Sequence, residues 1–262
     1  MVPRVAIALC CFALAAPPVH AQITDGFAKR TVVVTANSGT DLLFTDSAQL
    51  DGTPPGTDVP GLGPFNETVE NFGFASTNTV AAFADQTSTI PQTLIAAEPS
   101  PILFQGSASL FASYNTVAPI NAEATSVIDW TFAIDAATDL QLTWALAATA
   151  ETIDGVSDRG PVGAAFSLAR LDDPFNPVLS ETAGLNQLTE GAGVFTIAPG
   201  DYRLFLQADL NFFADGSAFE LPTDVSRTAA YTVTLAVVPT PASLALFALG
   251  LYACAARRHR TA

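Results

Sequence analysis

Along most of this chain apolar side chains recur at every second residue. Leu140, Leu142, Trp144 and Leu146 form one such row, and Ala164, Phe166 and Leu168 another. Tyr202, Leu204, Leu206 and Ala208 repeat it, as do Tyr231, Val233, Leu235 and Val237. A period of two puts these side chains on one face of a β-sheet. Between the rows sit Asp154-Gly155, Asp172-Asp173-Pro174, Pro199-Gly200 and Asp215-Gly216, all turn chemistry. The body shows no capped amphipathic helix. The pattern predicts an all-β protein, an antiparallel β-sandwich. Trp144 falls in its row as a core residue, and Trp130 alternates with Phe132 and Ile134 in the same way. Asp129 and Asp135 bracket the Trp130–Ile134 strand as strand-end solubilising residues. Ile197 to Leu204 reads as a hairpin, with Pro199-Gly200 as its turn and Tyr202 facing inward. The final strand is expected over Ala229–Val238.

Residues 51–64 hold four prolines and four glycines, which strand interiors do not accommodate. They read either as a linker after a small N-terminal strand pair, Thr31–Thr35 and Leu42–Phe44, or, the favoured reading, as a long surface loop. The roughly 30 residues before that loop are too few to bury a core of their own.

The two ends break the alternation. Arg4 is followed by an apolar run from Val5 to Ala16, and Val19-His20-Ala21 has the residue sizes of a signal-peptidase site. Residues 1–21 therefore read as a secretory signal peptide cut after Ala21. At the other end Val238-Pro239-Thr240-Pro241 precedes 15 uncharged residues, Ala242 to Ala256, and then Arg257, Arg258, His259 and Arg260. A helix over the apolar run would be about 22 Å long, slightly short of a full hydrocarbon span. Arginines after such a run stay on the cytoplasmic side. The body, 22–237, is then expected outside the cytoplasmic membrane.

This C-terminal arrangement resembles the PEP-CTERM sorting signal of Gram-negative bacteria. The pieces that carry the resemblance are Val238, Pro239 and Pro241, the Gly250-Leu251 pair in the apolar run, and Arg257, Arg258 and Arg260. Thr240 stands where the family usually has Glu. The resemblance covers residues 238–262. It implies processing by an exosortase-type membrane enzyme and delivery to the cell surface or extracellular matrix. It also favours a jelly-roll-like body over an immunoglobulin-type sandwich. A plain tail-anchored periplasmic protein is the simpler reading of the same segment.

Composition narrows the chemistry. The formal charge is −15, and four of the ten basic residues lie in the two end segments. Six basic side chains then face 25 acidic ones in the body, a balance that disfavours nucleic acid and anionic lipid surfaces. Every Cys and His lies in the end segments: Cys10, Cys11, Cys254, His20 and His259. The body thus lacks the base of a Ser-His-Asp triad, a thiol nucleophile and the usual zinc ligands. Carboxylate pairs could still cleave a glycosidic bond, although no spacing selects two of the 25, and solvated surface charge is the plainer reading.

Calcium is the better-suited cofactor, since it takes carboxylate and carbonyl oxygen. Asp209, Asn211 and Asp215, followed by Gly216, form the best local cluster, and Asp154 with Asp158 a second. Neither has EF-hand spacing. Asn66-Glu67-Thr68 fits a glycosylation sequon. Together these features predict an exported structural or adhesive sandwich whose partners are signal peptidase, an exosortase-type enzyme and exopolysaccharide. The competing expectation is a carboxylate-dependent polysaccharide hydrolase or lyase.

Overall fold

The computed structural model describes residues 22–38, 41–51, 62–75, 78–91, 94–95, 100–114, 119–150, 156–157, 163–214 and 223–238. Ala21, Asp154, Asp158, Asp215 and residues 239–262 lie outside them. The described residues form strands and no helix. In chain order the strands are β1 (Gln22–Ser38), β2 (Asp41–Asp51), β3 (Gly63–Ala75), β4 (Asn78–Ile90), β5 (Leu94–Ile95), β6 (Ile102–Tyr114) and β7 (Ile120–Ile134). They continue with β8 (Thr138–Ala150), β9 (Val156–Ser157), β10 (Gly163–Arg170), β11 (Leu179–Ala183), β12 (Gln187–Ile197), β13 (Gly200–Ala214) and β14 (Thr223–Val238).

Two antiparallel sheets face each other. Sheet A has the order β11-β10-β13-β7-β1-β2, with β5 added on β1 and β9 on β13. Sheet B has the order β12-β8-β14-β6-β4-β3. From β6 onward the long strands pass B, A, B, A, A, B, A, B. The last two insert centrally, β13 between β10 and β7 and β14 between β8 and β6. That winding, with sheets β12-β8-β14-β6 and β11-β10-β13-β7, is an eight-stranded jelly roll. The β1–β2 and β3–β4 hairpins widen the two sheets on the same side.

The period-two rows are the facing surfaces. Leu140, Leu142, Phe166, Leu204, Leu206, Val233 and Leu235 are all fully buried. Trp130 lies at the centre, its ring 4.4 Å from Phe132 and 6.0 Å from Phe104. Trp144 is half-buried over Phe166, with ring centroids 5.4 Å apart.

Four local expectations need correction. Pro199-Gly200 does not turn a hairpin, because β12 pairs with β8 in sheet B whereas β13 pairs with β7 and β10 in sheet A. The turn carries the chain across the core. Turn chemistry is the same for both outcomes, and sheet membership is decided by distant partners. Tyr202 does face inward, and its hydroxyl donates to the Ala198 carbonyl at 2.8 Å, a tyrosine-corner arrangement that fixes the crossing. Gly200, at φ 149°, takes a backbone conformation open to glycine.

The N-terminal pair and the final strand are longer than the alternation suggested, and in both cases an inward arginine hid the pattern. Arg30 sits between Ala28 and Val32 on the buried face of β1, and Arg227 between Val225 and Ala229 on that of β14. Each satisfies its charge on backbone oxygen. Arg30 Nη1 donates to Gly63 O at 2.8 Å and Ser88 O at 3.3 Å, and Arg227 Nη1 donates to Asn211 O at 2.9 Å. Both guanidinium groups also lie against rings, Phe65 at 5.2 Å and Phe212 at 5.6 Å. The third correction concerns the Pro/Gly-rich segment. Asp51 still pairs with Lys29, and Gly63 and Pro64 already belong to β3. Pro64 is tolerated because β3 is an edge strand. Finally, Asp129 is not at a strand end. It lies within β7 and accepts two hydrogen bonds from Arg203 at 2.7 and 2.8 Å.

Candidate functional site

The outer face of sheet A gathers the groups with the most chemistry. Odd-numbered residues of β7 and β13 point outward there, because their even-numbered neighbours fill the core. The register sets Asp209 opposite Thr125 and Asn211 opposite Glu123. Two of the proposed calcium ligands, Asp209 and Asn211, therefore share one face, and the ladder adds Glu123, Thr125 and Gln207.

Thr125 Oγ1 lies 3.1 Å from Asp209 Oδ1 and 3.2 Å from Glu123 Oε1, so one hydroxyl bridges the two carboxyl groups. Gln207 Nε2 donates to Asp209 Oδ2 at 2.8 Å. Partial burial pushes the Asp209 carboxyl up to about 6, and the nearby Glu123 charge adds to the rise against the opposing Thr125 and Gln207 hydrogen bonds. A hydroxyl carries one hydrogen and cannot donate to two carboxylates at once. With Asp209 protonated the chain is fully satisfied: Asp209 donates to Thr125, and Thr125 donates to Glu123. The protonated form of Asp209 is thus the one that this chain of bonds satisfies.

Calcium would need six to eight oxygens. Asp209, Glu123 and the Asn211 amide oxygen, which is buried without a partner among the described residues, supply part of that shell. Of the adjacent backbone carbonyls, that of Asn211 already accepts from Arg227 Nη1 at 2.9 Å. No group of three or more His, Cys, Asp or Glu side chains converges as metal ligands among the described residues. Asp215, the third ligand of the expected cluster, lies outside the described residues, so the structure describes that cluster only in part.

A second polar cluster lies between the sheets. Gln86 Nε2 donates to Val127 O at 2.7 Å and sits 3.3 Å from both Ser126 Oγ and Tyr231 Oη. Burial pushes the Tyr231 phenol far above its usual range. This cluster ties β4 and β14 to β7 and has no solvent access, which marks it as structural.

Two surface depressions lie on the opposite face, on sheet B. One, of about 170 Å³, is lined by Glu70, Phe83, Ser109 and Phe111 among others. The other, of about 420 Å³, is lined by Pro101, Gln141, Thr143, Thr234, Ala236, Val237 and Val238. The larger has hydroxyl and amide groups around an apolar floor and no titratable side chain. The acid pair and the depressions are therefore on different faces of the sandwich. Asn66 of the sequon is exposed on β3, where Thr87 Oγ1 donates to its side chain at 2.8 Å.

Sequence reasoning missed Glu123, Thr125 and Gln207. Glu123 and Thr125 do stand on the outward positions of a clean alternation, but their meeting with Asp209 depends on a pairing across 84 residues.

No family model matches the sequence, and no curated protein matches it. Solved structures that resemble it include the infectious bursal disease virus Gx strain, with 13% identity and a TM-score of 0.24 over 86% of this chain. The VP2 subviral particle of the same virus follows with 12% identity and a TM-score of 0.17 over 82% of this chain. The chain spans 59% of the length of the first and 68% of the second. The jelly-roll assignment rests on the strand order, not on these likenesses.

Proposed function

We propose that the chain is an exported, non-enzymatic jelly-roll protein with a structural or adhesive role at the cell surface or in the extracellular matrix. Residues 238–262 hold it transiently in the inner membrane until an exosortase-type enzyme processes it there. The observation that carries this reading is the handover at Val238. Strand β14 runs through the middle of sheet B and ends at Val238, where the Pro-x-Pro segment begins. Removal of the residues beyond Val238 would leave every described strand whole. Strand β1 likewise starts at Gln22, next to the signal-peptidase site. The larger depression on sheet B offers hydrogen-bonding groups without an acid–base pair, which suits association with exopolysaccharide better than its cleavage. The acidic body disfavours nucleic acid as a partner.

The test is the intact mass of the mature protein from a Gram-negative host that encodes an exosortase. The expected species starts at Gln22 and has lost Arg257, Arg258 and Arg260. A product that still ends in the arginine cluster in every fraction would instead make it a plain tail-anchored periplasmic protein. Calcium titration tests the oxygen cluster: a rise in unfolding midpoint that Asp209→Asn abolishes would assign the ion to that face.

One observation favours a second reading, a carboxylate-dependent polysaccharide hydrolase or lyase. Asp209, its carboxyl pushed up to about 6 by burial, is bridged through the Thr125 hydroxyl to a second carboxyl group, Glu123, and glycoside cleavage uses two such groups. Release of reducing ends from polysaccharide, lost in Asp209→Asn and in Glu123→Gln, would establish it.

A further inference from the structure

We infer that the end of the sandwich from which the C-terminal segment leaves is a bilayer-contacting surface, with residues 171–178 as its insertion tip. The inference rests on the membrane-held reading above and adds to it the part of the body that meets the lipid.

The connection between β10 and β11 presents apolar side chains to solvent in a fixed shape. Phe175 is 92% exposed, Leu171 46% and Val178 37%, and Pro174 and Pro177 are exposed beside them. The backbone holding them is well tied. Leu171 N donates to Asp201 O at 3.0 Å, Asp173 N to Arg170 O at 3.3 Å, and Val178 N to Leu168 O at 2.8 Å. Asn176 Nδ2 donates to the Asp173 carboxylate at 2.8 Å, and Arg170 clamps Asp172 through two bonds of 2.9 and 3.0 Å. An exposed aromatic on a braced loop gains nothing in water and is suited to an apolar medium.

The register places this loop at one end of the molecule together with the chain's exit. Arg170 is level with Tyr202, and Gly200 with Ile134. Residues 135–137 join Ile134 to Thr138, and Val238 pairs with Asp139. The tip and Val238 therefore leave the sandwich in the same direction. Ala242, the first residue of the apolar run, is four residues beyond Val238, a reach of at most about 14 Å for extended chain. A body tethered that closely has this end against the membrane, within reach of the tip. The surrounding side chains define the lipid. Exposed Asp135 and Asp201 lie at this end, and Asp172 and Asp173 within the tip, against the cation Arg170 that pairs with Asp172, so the surface it suits is zwitterionic and entered by apolar burial, not an anionic one held by charge.

Full-length protein reconstituted into phosphatidylcholine vesicles with bromines at shallow acyl positions tests this, read by tryptophan emission. Position 175 is replaced in the F175W variant, and Asn121, exposed at the opposite end, in N121W. Emission of the unmodified chain, from Trp130 and Trp144, is the background. We expect all three proteins to float with the vesicles and the added F175W signal to fall by about half and shift to the blue, as a side chain 5–10 Å into the interface would. The added N121W signal should stay unchanged. Flotation with F175W as unquenched as N121W overturns the inference and leaves the membrane-held reading intact. Protein that stays out of the lipid fraction overturns both.

Discussion

Replacing Asp209 with Asn should remove a loss of stability that the wild-type protein suffers as pH rises. In the folded state the Asp209 carboxyl is pushed up to about 6, against about 3.9 for an aspartate in an unfolded chain. The folded protein therefore holds this proton more tightly. Its contribution is fully present below about pH 4 and is lost as pH rises through 6, with no further change above about 7. The gap between the two values corresponds to about 3 kcal/mol. The carboxyl lies on an outer sheet face open to water, and screening reduces this to about 1–2 kcal/mol.

Asparagine reproduces the protonated acid's bonding. Its Nδ2 can donate to Thr125 Oγ1, and its Oδ1 can accept from Gln207 Nε2, the two partners Asp209 already has. The assay is urea unfolding followed by the fluorescence of Trp130 and Trp144 at intervals from pH 4 to 8. Other carboxyl groups titrate in both proteins, so the informative quantity is the stability of the variant minus that of wild type. It should rise by about 1–2 kcal/mol between pH 4 and 7. Glu123→Gln removes the charge that helps to raise Asp209 and should shrink the wild-type loss. Parallel stability curves for wild type and Asp209→Asn would refute the raised Asp209 carboxyl and the bonding derived from it.

Four further perturbations probe the scaffold. Gly106→Ala would set a Cβ 2.5 Å from the Tyr231 ring and against Ser126 Oγ, costing about 1–3 kcal/mol by urea unfolding; unchanged stability would mean that the sheets separate there without penalty. Arg30→Ala deprives Gly63 O and Ser88 O of a buried charged donor and opens a cavity, for a loss of about 3 kcal/mol or more. By contrast, Arg203→Ala breaks an exposed pair with Asp129 and should cost less than about 1 kcal/mol; a larger loss would give that pair a structural role. A chain ending after Pro222 should fail to fold, whereas one ending after Val238 should keep a cooperative transition by circular dichroism. Five large side chains of β14 are buried, Val225, Tyr231, Val233, Leu235 and Val237, together about 7–15 kcal/mol and comparable to a whole domain's stability.

The sequence pattern revealed strands where the buried face was uniformly apolar, as in Leu140–Leu146 and Tyr231–Val237. It failed where a buried position carried charge. Arg30 and Arg227 look like surface residues in any local window, yet each lies within a strand with its guanidinium hydrogen-bonded to backbone carbonyls. Pairing partners were equally hidden. The alternation of β12 and β13 has the look of a hairpin, and only the ladders to β8 and β7 put the two strands in opposite sheets. The candidate site inherits that limit. Asp209 and Asn211 were visible as neighbours in sequence, but the hydroxyl bridge to Glu123 exists only because β7 lies beside β13.

The winding also constrains how the body and the C-terminal segment relate. In a jelly roll the last strand fills a central gap. Here β14 pairs with β8 on one side from Arg227 to Val238 and with β6 on the other from Thr223 to Leu235. Sheet B cannot close until those residues are available, so the fold is finished only when the chain has emerged as far as Val238. Val237 is buried and Val238 still pairs with Asp139. A cut upstream of Val238 would remove core from a central strand, whereas a cut beyond it leaves every described strand whole. The sorting proposed above depends on that boundary: processing must fall beyond Val238, because the strand before it lies between β8 and β6 and closes sheet B.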